Sequence, residues 1–534
     1  MSNSRAGSQN RDDEENAQLL NEQSYIEPNV KQKKKKFFAV AIGAFLITVS
    51  LAAIIFEISS LLYARKNKRN VILLISDGFG PASETFGRSY YQFVNDLPWD
   101  QIAPLDKMLV GTSRTRSSSS LVTDSAAGAT AFSCAIKTYN AGIGVHPDQT
   151  PCGTILESAK AKGILTGLVV TSRITHATPA SFSAHVINRN MESEIAAQQI
   201  GDYPLGRQVD LMFGGGRCYF LGNSTEGSCR TDTRDVMSDA KKQFHYLNAI
   251  RSLPILGLFT LDHMSYEIDR DPATEPSLKE MSAKAIELLT KATEDSDKGF
   301  FLMIEGSRID MAAHSNDAPT HAHEISAYYE TIDHVREYVD NHPNTVMISV
   351  SDHETGGLAL SRQNDIAKYP QYQWFPEILQ RVNMSSYLLA KKINEYNEKD
   401  KVEFIKNSIR EELGIDDFTE DDVKYLSKPE EFEMAYEYYL SNMTSARALI
   451  GWSTHGHTAV DVNLYAHGMN AEKLAGNHEN THIGDFIIDF LGLDLSSITL
   501  LLNKDNSSFH LSNYKDISQF NIDNLAHYHH GHQL

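Results

Sequence analysis

The chain is 534 residues long, with 49 basic against 69 acidic side chains and a formal net charge of −20 at pH 7. That length exceeds a single small core and suits one large α/β domain with insertions, or two domains. The acidic balance argues against nucleic acid as a partner and is also what keeps many proteins soluble.

Residues 1–36 are rich in Asn, Gln, Ser, Asp and Glu and read as a disordered tail. Within it, Glu15 stands four positions before the Leu19-Leu20 pair, the form that clathrin-type adaptors read when they sort cargo to lysosomes and vacuoles. Phe37–Phe56 follows a Lys cluster, lacks charge and Pro, and is long enough to cross a bilayer core of roughly 30 Å. No cleavage site of the signal-peptide type stands out. Residues 37–62 are therefore expected to be a signal anchor of a single-pass, type II protein, with residues 1–36 in the cytoplasm. The following region, 63–496, would be luminal and catalytic, in a vacuole or at the cell surface. Residues 497–534, ending in a His-rich stretch, would be a mobile or removable tail.

Four N-x-[ST] sequons, at Asn223, Asn383, Asn442 and Asn506, all lie beyond the anchor, as a luminal glycoprotein requires. So do Cys134, Cys152, Cys218 and Cys229, an even set that pairs most simply as Cys134–Cys152 and Cys218–Cys229, each closing a short loop.

From Asn70 onward, short apolar runs alternate with amphipathic stretches, which predicts a doubly wound, mostly parallel α/β sheet flanked by helices. Three runs break off into a carboxylate with no intervening loop. Val71–Ile75 leads to Asp77, Phe300–Ile304 to Glu305, and Val346–Val350 to Asp352-His353. Leu165–Thr171 and Val209–Phe213 are further strands. Between about 360 and 450 the sequence becomes charged and Tyr-rich, with helical segments Ser386–Lys399 and Glu430–Leu440, and reads as an inserted cap over the active-site face. Strand character returns at Thr458–Ala466, Ile483–Leu493 is a final amphipathic helix, and periodicity ends beyond Asp494.

In open α/β sheets ligands collect beyond the carboxyl ends of strands, so carboxylates and imidazoles gathered there predict a cation cluster suited to hydrolytic or phosphoryl chemistry. Asp310 and His314, four apart on a predicted helix, share one face within reach of a single cation. Asp352-His353 and the late His455-Gly456-His457 add further donors. Thr123-Asp124-Ser125-Ala126-Ala127-Gly128 puts Ser125 at the start of a small-residue helix, where free N–H groups and a partial positive charge suit a phosphoryl group; read alone, Asp124 and Ser125 also suit an ordinary helix cap. No Ser-His-Asp arrangement is visible near Ser125, which leaves a metal as the natural activator of its hydroxyl.

Over about Asn70–Leu493, these motifs resemble, in order, those of the alkaline phosphatases, and closely those of the fungal vacuolar, repressible branch. The resemblance implies two zinc ions and one magnesium per subunit, a homodimer, broad activity on phosphate monoesters and phosphorylated peptides, and a phosphoserine intermediate at Ser125. It implies one zinc held by Asp310, His314 and His457, the second by Asp77, Asp352 and His353 with Ser125 joining it, and magnesium held by Asp77, Thr178 and Glu305. Arg189 would clamp two phosphate oxygens, a geometry Lys does not supply. Of the two late histidines, His457 is taken as the ligand because it directly precedes the Thr458–Val462 segment; His321 and His323 are left as ordinary residues. Asp124 and His176 would stand just behind the ligands. Relatives carry Asp or His at the position of His176 and Lys or His at that of Met311; a thioether is a poor ligand for a hard cation, so the identity of the third ion is the least constrained. The alternatives are a phosphodiesterase or sulfatase-like hydrolase on the same metal scaffold, and a catalytically silent, metal-stabilised glycoprotein.

Overall fold

The computed structural model describes residues 32–56, 68–246, 253–429, 432 and 434–504. The Glu15, Leu19 and Leu20 motif, Asn506 and the His-rich end lie outside these residues. Gln32–Phe56 is one helix, long and apolar enough to cross a membrane, with none of its most apolar window buried. Residues 68–504 form a separate compact unit.

The unit is built on a ten-stranded sheet. Its strands are β1 (Asn70–Ser76), β2 (Leu109–Arg114), β3 (Leu165–Arg173), β4 (Leu211–Gly215), β5 (His245–Tyr246), β6 (Ile255–Leu258), β7 (Phe300–Gly306), β8 (Thr345–Val350), β11 (Val462–Gly468) and β12 (Gly476–Glu479). β9 (Glu354–Thr355) and β10 (His457–Thr458) make a small antiparallel pair apart from it. The order across the large sheet is β12-β2-β11-β8-β1-β7-β3-β4-β6-β5, parallel except where β11 runs against β2 and β8. The predicted doubly wound, mostly parallel sheet is therefore observed.

Central strands buried on both faces explain the unbroken apolar runs. In β1, Val71, Leu73 and Ile75 enter one core, while Ile72 and Leu74 enter the core on the opposite face. The register places Ile75 beside both Glu305 of β7 and Val350 of β8, so the three carboxylate-bearing strand ends lie side by side. Residues 382–443 carry an apolar core of their own, built from Leu389, Ile393, Ile405, Ile409, Leu426 and Leu440 among others.

Both expected disulfides are present, Cys134–Cys152 and Cys218–Cys229. Asn223, Asn383 and Asn442 are exposed. Three expectations need correction. The strand predicted over Thr458–Ala466 is interrupted at 459–461, because Thr458 pairs with Glu354 of β9 and the chain must cross to the large sheet before Val462. The helix predicted over Glu430–Leu440 is described as Ala435–Arg447. The loss of structure expected beyond Asp494 is overturned by the helix Leu495–Leu502, which spans the expected tail boundary; Asp494 caps it and Ile498 and Leu502 are buried. Its eight residues mix three hydroxyl side chains with leucines of which Leu500 and Leu501 are exposed, so the sequence shows no clear helical period.

His321 is held inside the helix Ala318–Asn341 between the carbonyl of Ile309 (3.0 Å) and Ser83 Oγ (2.9 Å), as the structural residue expected. Burial pushes its pKa from 6.5 down to about 4. The unfolded chain therefore takes up a proton that the native state refuses, and the stability contributed above pH 6.5 is lost as pH falls toward 4, up to roughly 3 kcal/mol. His321→Gln should flatten this part of the profile, read as melting temperature between pH 7 and 4. Truncating Leu302, fully buried in β7, to Ala should cost about 2–5 kcal/mol in denaturant unfolding.

Candidate active site

Each candidate side chain is placed by a short structural device. Gly78 follows Asp77 at φ +72°, and a Cβ there would lie 2.7 Å from the Cα of Asp310, so only glycine lets the β1 turn meet the Asp310 helix (Arg308–His314). Ser125 begins the helix Ser125–Cys134, capped by Asp124, whose Oδ1 accepts from Ala127 N at 3.0 Å. Gly128 brings that helix against Asp352, where a Cβ would sit 2.8 Å from the aspartate's own Cβ.

Asp310, His314 and His457 present ligand atoms within 4.8 Å of one another, and so do Asp77, Asp310 and His353. Asp310 thus reaches both groups, which the sequence did not indicate. Asp352 lies against the second, its Oδ2 being 3.2 Å from His353 Nε2. His314 Nδ1 donates to the carbonyl of His455 at 2.5 Å and His457 Nδ1 to that of Thr123 at 2.8 Å. A carbonyl only accepts, so both rings carry their proton on Nδ1. Their Nε2 lone pairs therefore face each other at 3.1 Å, the arrangement of imidazoles shaped to share a cation. His353 is fixed in the same way. Thr355 Oγ1 gives its proton to Asp310 Oδ1 at 2.6 Å and so accepts from His353 Nδ1 at 3.2 Å. His353 Nε2 then points at Ser125 Oγ (3.1 Å), Asp77 Oδ1 (3.5 Å) and Asp352 Oδ2 (3.2 Å). This Ser125–His353 contact spans 228 positions of sequence, beyond the reach of any local motif. His455 turns its Nδ1 to the carbonyl of His314 at 2.7 Å.

Around Glu305 the described residues show a third set of neighbours. Thr178 and Asp77 both lie close enough to Glu305 to lower its pKa. Asp77 Oδ2, Thr178 Oγ1 and Glu305 Oε1 are buried without a hydrogen bond of normal geometry, hard oxygen donors aimed into one space. Met311 packs instead with Tyr266 and Ala312 in an apolar cluster.

The electrostatics show what is needed here. Burial first, and then Asp352, Asp310 and Glu305, hold Asp77 well above the carboxylate range. Burial pushes Asp352 and Glu305 to about 7. Burial would raise Asp310 as well, but His314, and after it His457 and His353, hold it well below the usual value. Burial takes His353 down to about 3. Carboxylates crowded beside imidazoles are the donor set for divalent cations, whose charge would return the acids to their ionised form.

Arg189 faces this cluster from the side. Its Nη1 donates to Asp124 Oδ2 at 3.2 Å and its Nη2 lies 3.1 Å from His176 Nε2, so Asp124 both caps the Ser125 helix and holds the guanidinium. Behind His176, ring centroids 5.3 Å away, is His263, bonded to the fully buried Arg173, which forks onto Glu192 at 2.8 and 2.9 Å. Nothing in the sequence signalled His263, because its partner strand lies 90 positions away.

A family model for alkaline phosphatase matches residues 68–493. The repressible alkaline phosphatase of Saccharomyces cerevisiae is 47% identical over 88% of this chain and 89% of its own length. The alkaline phosphatase of Schizosaccharomyces pombe is 47% identical over 80% of this chain and 82% of its own. Among solved structures, the cold-active enzyme of the psychrophile Shewanella sp. superposes with a TM-score of 0.67 at 30% identity, covering 79% of this chain and 99% of its own. The Thermus thermophilus alkaline phosphatase gives 0.66 at 28% identity, covering 80% and 92%. With a serine at a helix start, an arginine beside it and a buried acid and imidazole cluster in front of it, the chain belongs to the alkaline phosphatase family and is a phosphate-monoester hydrolase.

Proposed function

We propose that Ser125 is the nucleophile of this hydrolase and that it turns over phosphate monoesters of broad structure, phosphorylated peptides included, through a phosphoserine intermediate. The observation that carries the reading is the convergence of Ser125 Oγ, His353 Nε2 and the Asp77 carboxylate in one buried place. Asp310, His314 and His457 would hold one zinc ion; Asp77, Asp352 and His353 the second; Asp77, Thr178 and Glu305 a magnesium ion. These ions, when bound, supply positive charge that lowers the pKa of a coordinated hydroxyl and stabilises attacking and leaving oxygens. The chain's own part is positioning. Arg189 is held by Asp124, the cap of the Ser125 helix, and by His176, and from there would pair two equatorial phosphate oxygens and spread the charge of the transition state. The Ser125 helix adds N–H groups and the positive end of its dipole. Attack by Ser125 Oγ on phosphorus breaks the ester bond and the alcohol leaves with a proton. Water then cleaves phosphoserine from the opposite side, which regenerates the hydroxyl and frees phosphate.

For location, the reading rests on the N-terminal segment. Residues 37–62 would be a signal anchor, the region from 63 through the helix Leu495–Leu502 a luminal catalytic domain with its inserted cap at about 360–450, and the residues beyond that helix a tail. Glu15, Leu19 and Leu20 would engage an adaptor on the cytosolic side and direct the protein to the vacuole, where it would work as a glycosylated homodimer. The apolar helix Gln32–Phe56 and the likeness to the yeast repressible enzyme support this reading.

Ser125→Ala should lower turnover of a chromogenic phosphate monoester by about a thousandfold or more while zinc and magnesium content, measured by elemental analysis, stays near normal. Retained phosphoserine chemistry in that variant would sink the assignment. Chelation should abolish turnover, and both ions together should restore it. Replacing Leu19 and Leu20 by Ala should reroute the protein in cells without altering its specific activity; an unchanged destination would count against the sorting motif.

A further inference from the structure

The helix Ala435–Arg447 closes the inserted region and reaches the Asp310, His314 and His457 group from outside. Three of its side chains meet the chain around that group. Glu437 accepts a hydrogen bond from Ser315, the residue after His314. Ser445 Oγ donates to the carbonyl of Asn316 at 3.1 Å. Tyr438 lays its ring on His455, centroids 3.7 Å apart and planes within 15°.

His455 in turn is locked to His314 by a reciprocal pair of hydrogen bonds. Nδ1 of His314 donates to the carbonyl of His455 at 2.5 Å, and Nδ1 of His455 donates to the carbonyl of His314 at 2.7 Å. The second bond satisfies a carbonyl at the end of the short helix Arg308–His314, which has no partner within the helix. The first sets the His314 tautomer and turns its Nε2 toward His457 and Asp310. Tyr438 fixes the plane of His455, and His455 fixes the ring of His314.

We propose that the inserted region is a positioning element for the metal centre, with Tyr438 and His455 as positioning residues that hold His314 in its metal-ready orientation. This rests on the reading of Asp310, His314 and His457 as zinc ligands. Outer partners of a ligating histidine typically govern about 10- to 100-fold in metal affinity.

The test is the rate at which the zinc-loaded, full-length protein releases zinc to a chromogenic chelator, compared among wild type, Tyr438→Ala, Tyr438→Phe and His455→Ala. Tyr438→Ala and His455→Ala should release one of the bound zinc ions about tenfold faster or more. Tyr438→Phe, which keeps the ring, should match wild type. Wild-type release from both alanine variants would overturn the proposal, and a Tyr438→Phe rate equal to that of Tyr438→Ala would overturn stacking as its cause. A wild-type protein that takes up no zinc would overturn the ligand reading itself, an outcome distinct from the other two. Should Tyr438→Ala fail to fold, His455→Ala leaves the inserted region and the backbone carbonyl intact and carries the same comparison.

Discussion

Four carboxylates, those of Asp77, Glu305, Asp310 and Asp352, are buried together, each no more than 1% exposed. Removing an ionised carboxylate from water costs several kcal/mol unless opposite charge is at hand, and a cluster of four multiplies that cost. Three of the four are driven toward the protonated form, while Asp310 alone is held down, by the histidines around it. A family whose chemistry depends on metal ions offsets this cost with the charge its reaction uses. The fold tolerates the cluster because the parallel register of β8, β1 and β7 brings the strand ends level.

The same constraint reaches into the backbone. Carboxylates can converge this tightly only if main chains approach closely, and the approaches fall at glycine, at Gly78 against Asp310 and at Gly128 against Asp352. The imidazoles are held by main-chain carbonyls, with the carbonyls of Thr123 and His455 setting the tautomers of His457 and His314. Acceptors of this kind persist under side-chain substitution, which makes the ligand geometry a property of the chain path as much as of the sequence.

What was legible in the sequence follows the range of the interactions. Strands β1, β7 and β8 were plain because burial on both faces forces unbroken apolar runs, and Asp77, Glu305 and Asp352 were plain because a charge at the end of such a run has few structural excuses. Asp310 and His314 were legible through helical spacing. Arg189 and Thr178 came only from resemblance, since an Arg in a loop and a Thr in a short helix are unremarkable by themselves. The contact of Ser125 with His353, the sharing of Asp310 between two groups and the layer of His263, Arg173 and Glu192 were hidden, because they join segments whose nearness only the folded sheet creates. The helix Leu495–Leu502 was missed for a local reason, since Ser496, Ser497 and Thr499 among its leucines blur any apolar face.

Arg189 is gripped by Asp124 and His176, which orders its guanidinium. With Arg189 as the phosphate clamp proposed above, a substrate would cost the enzyme little side-chain entropy on binding. The liberated phosphate dianion would present the same kind of oxygens to the same fork and gain the same advantage. Pre-ordering therefore favours retention of product as much as capture of substrate. An enzyme built in this way would be slowed by the phosphate it makes, and its throughput would depend on how fast that phosphate is carried off.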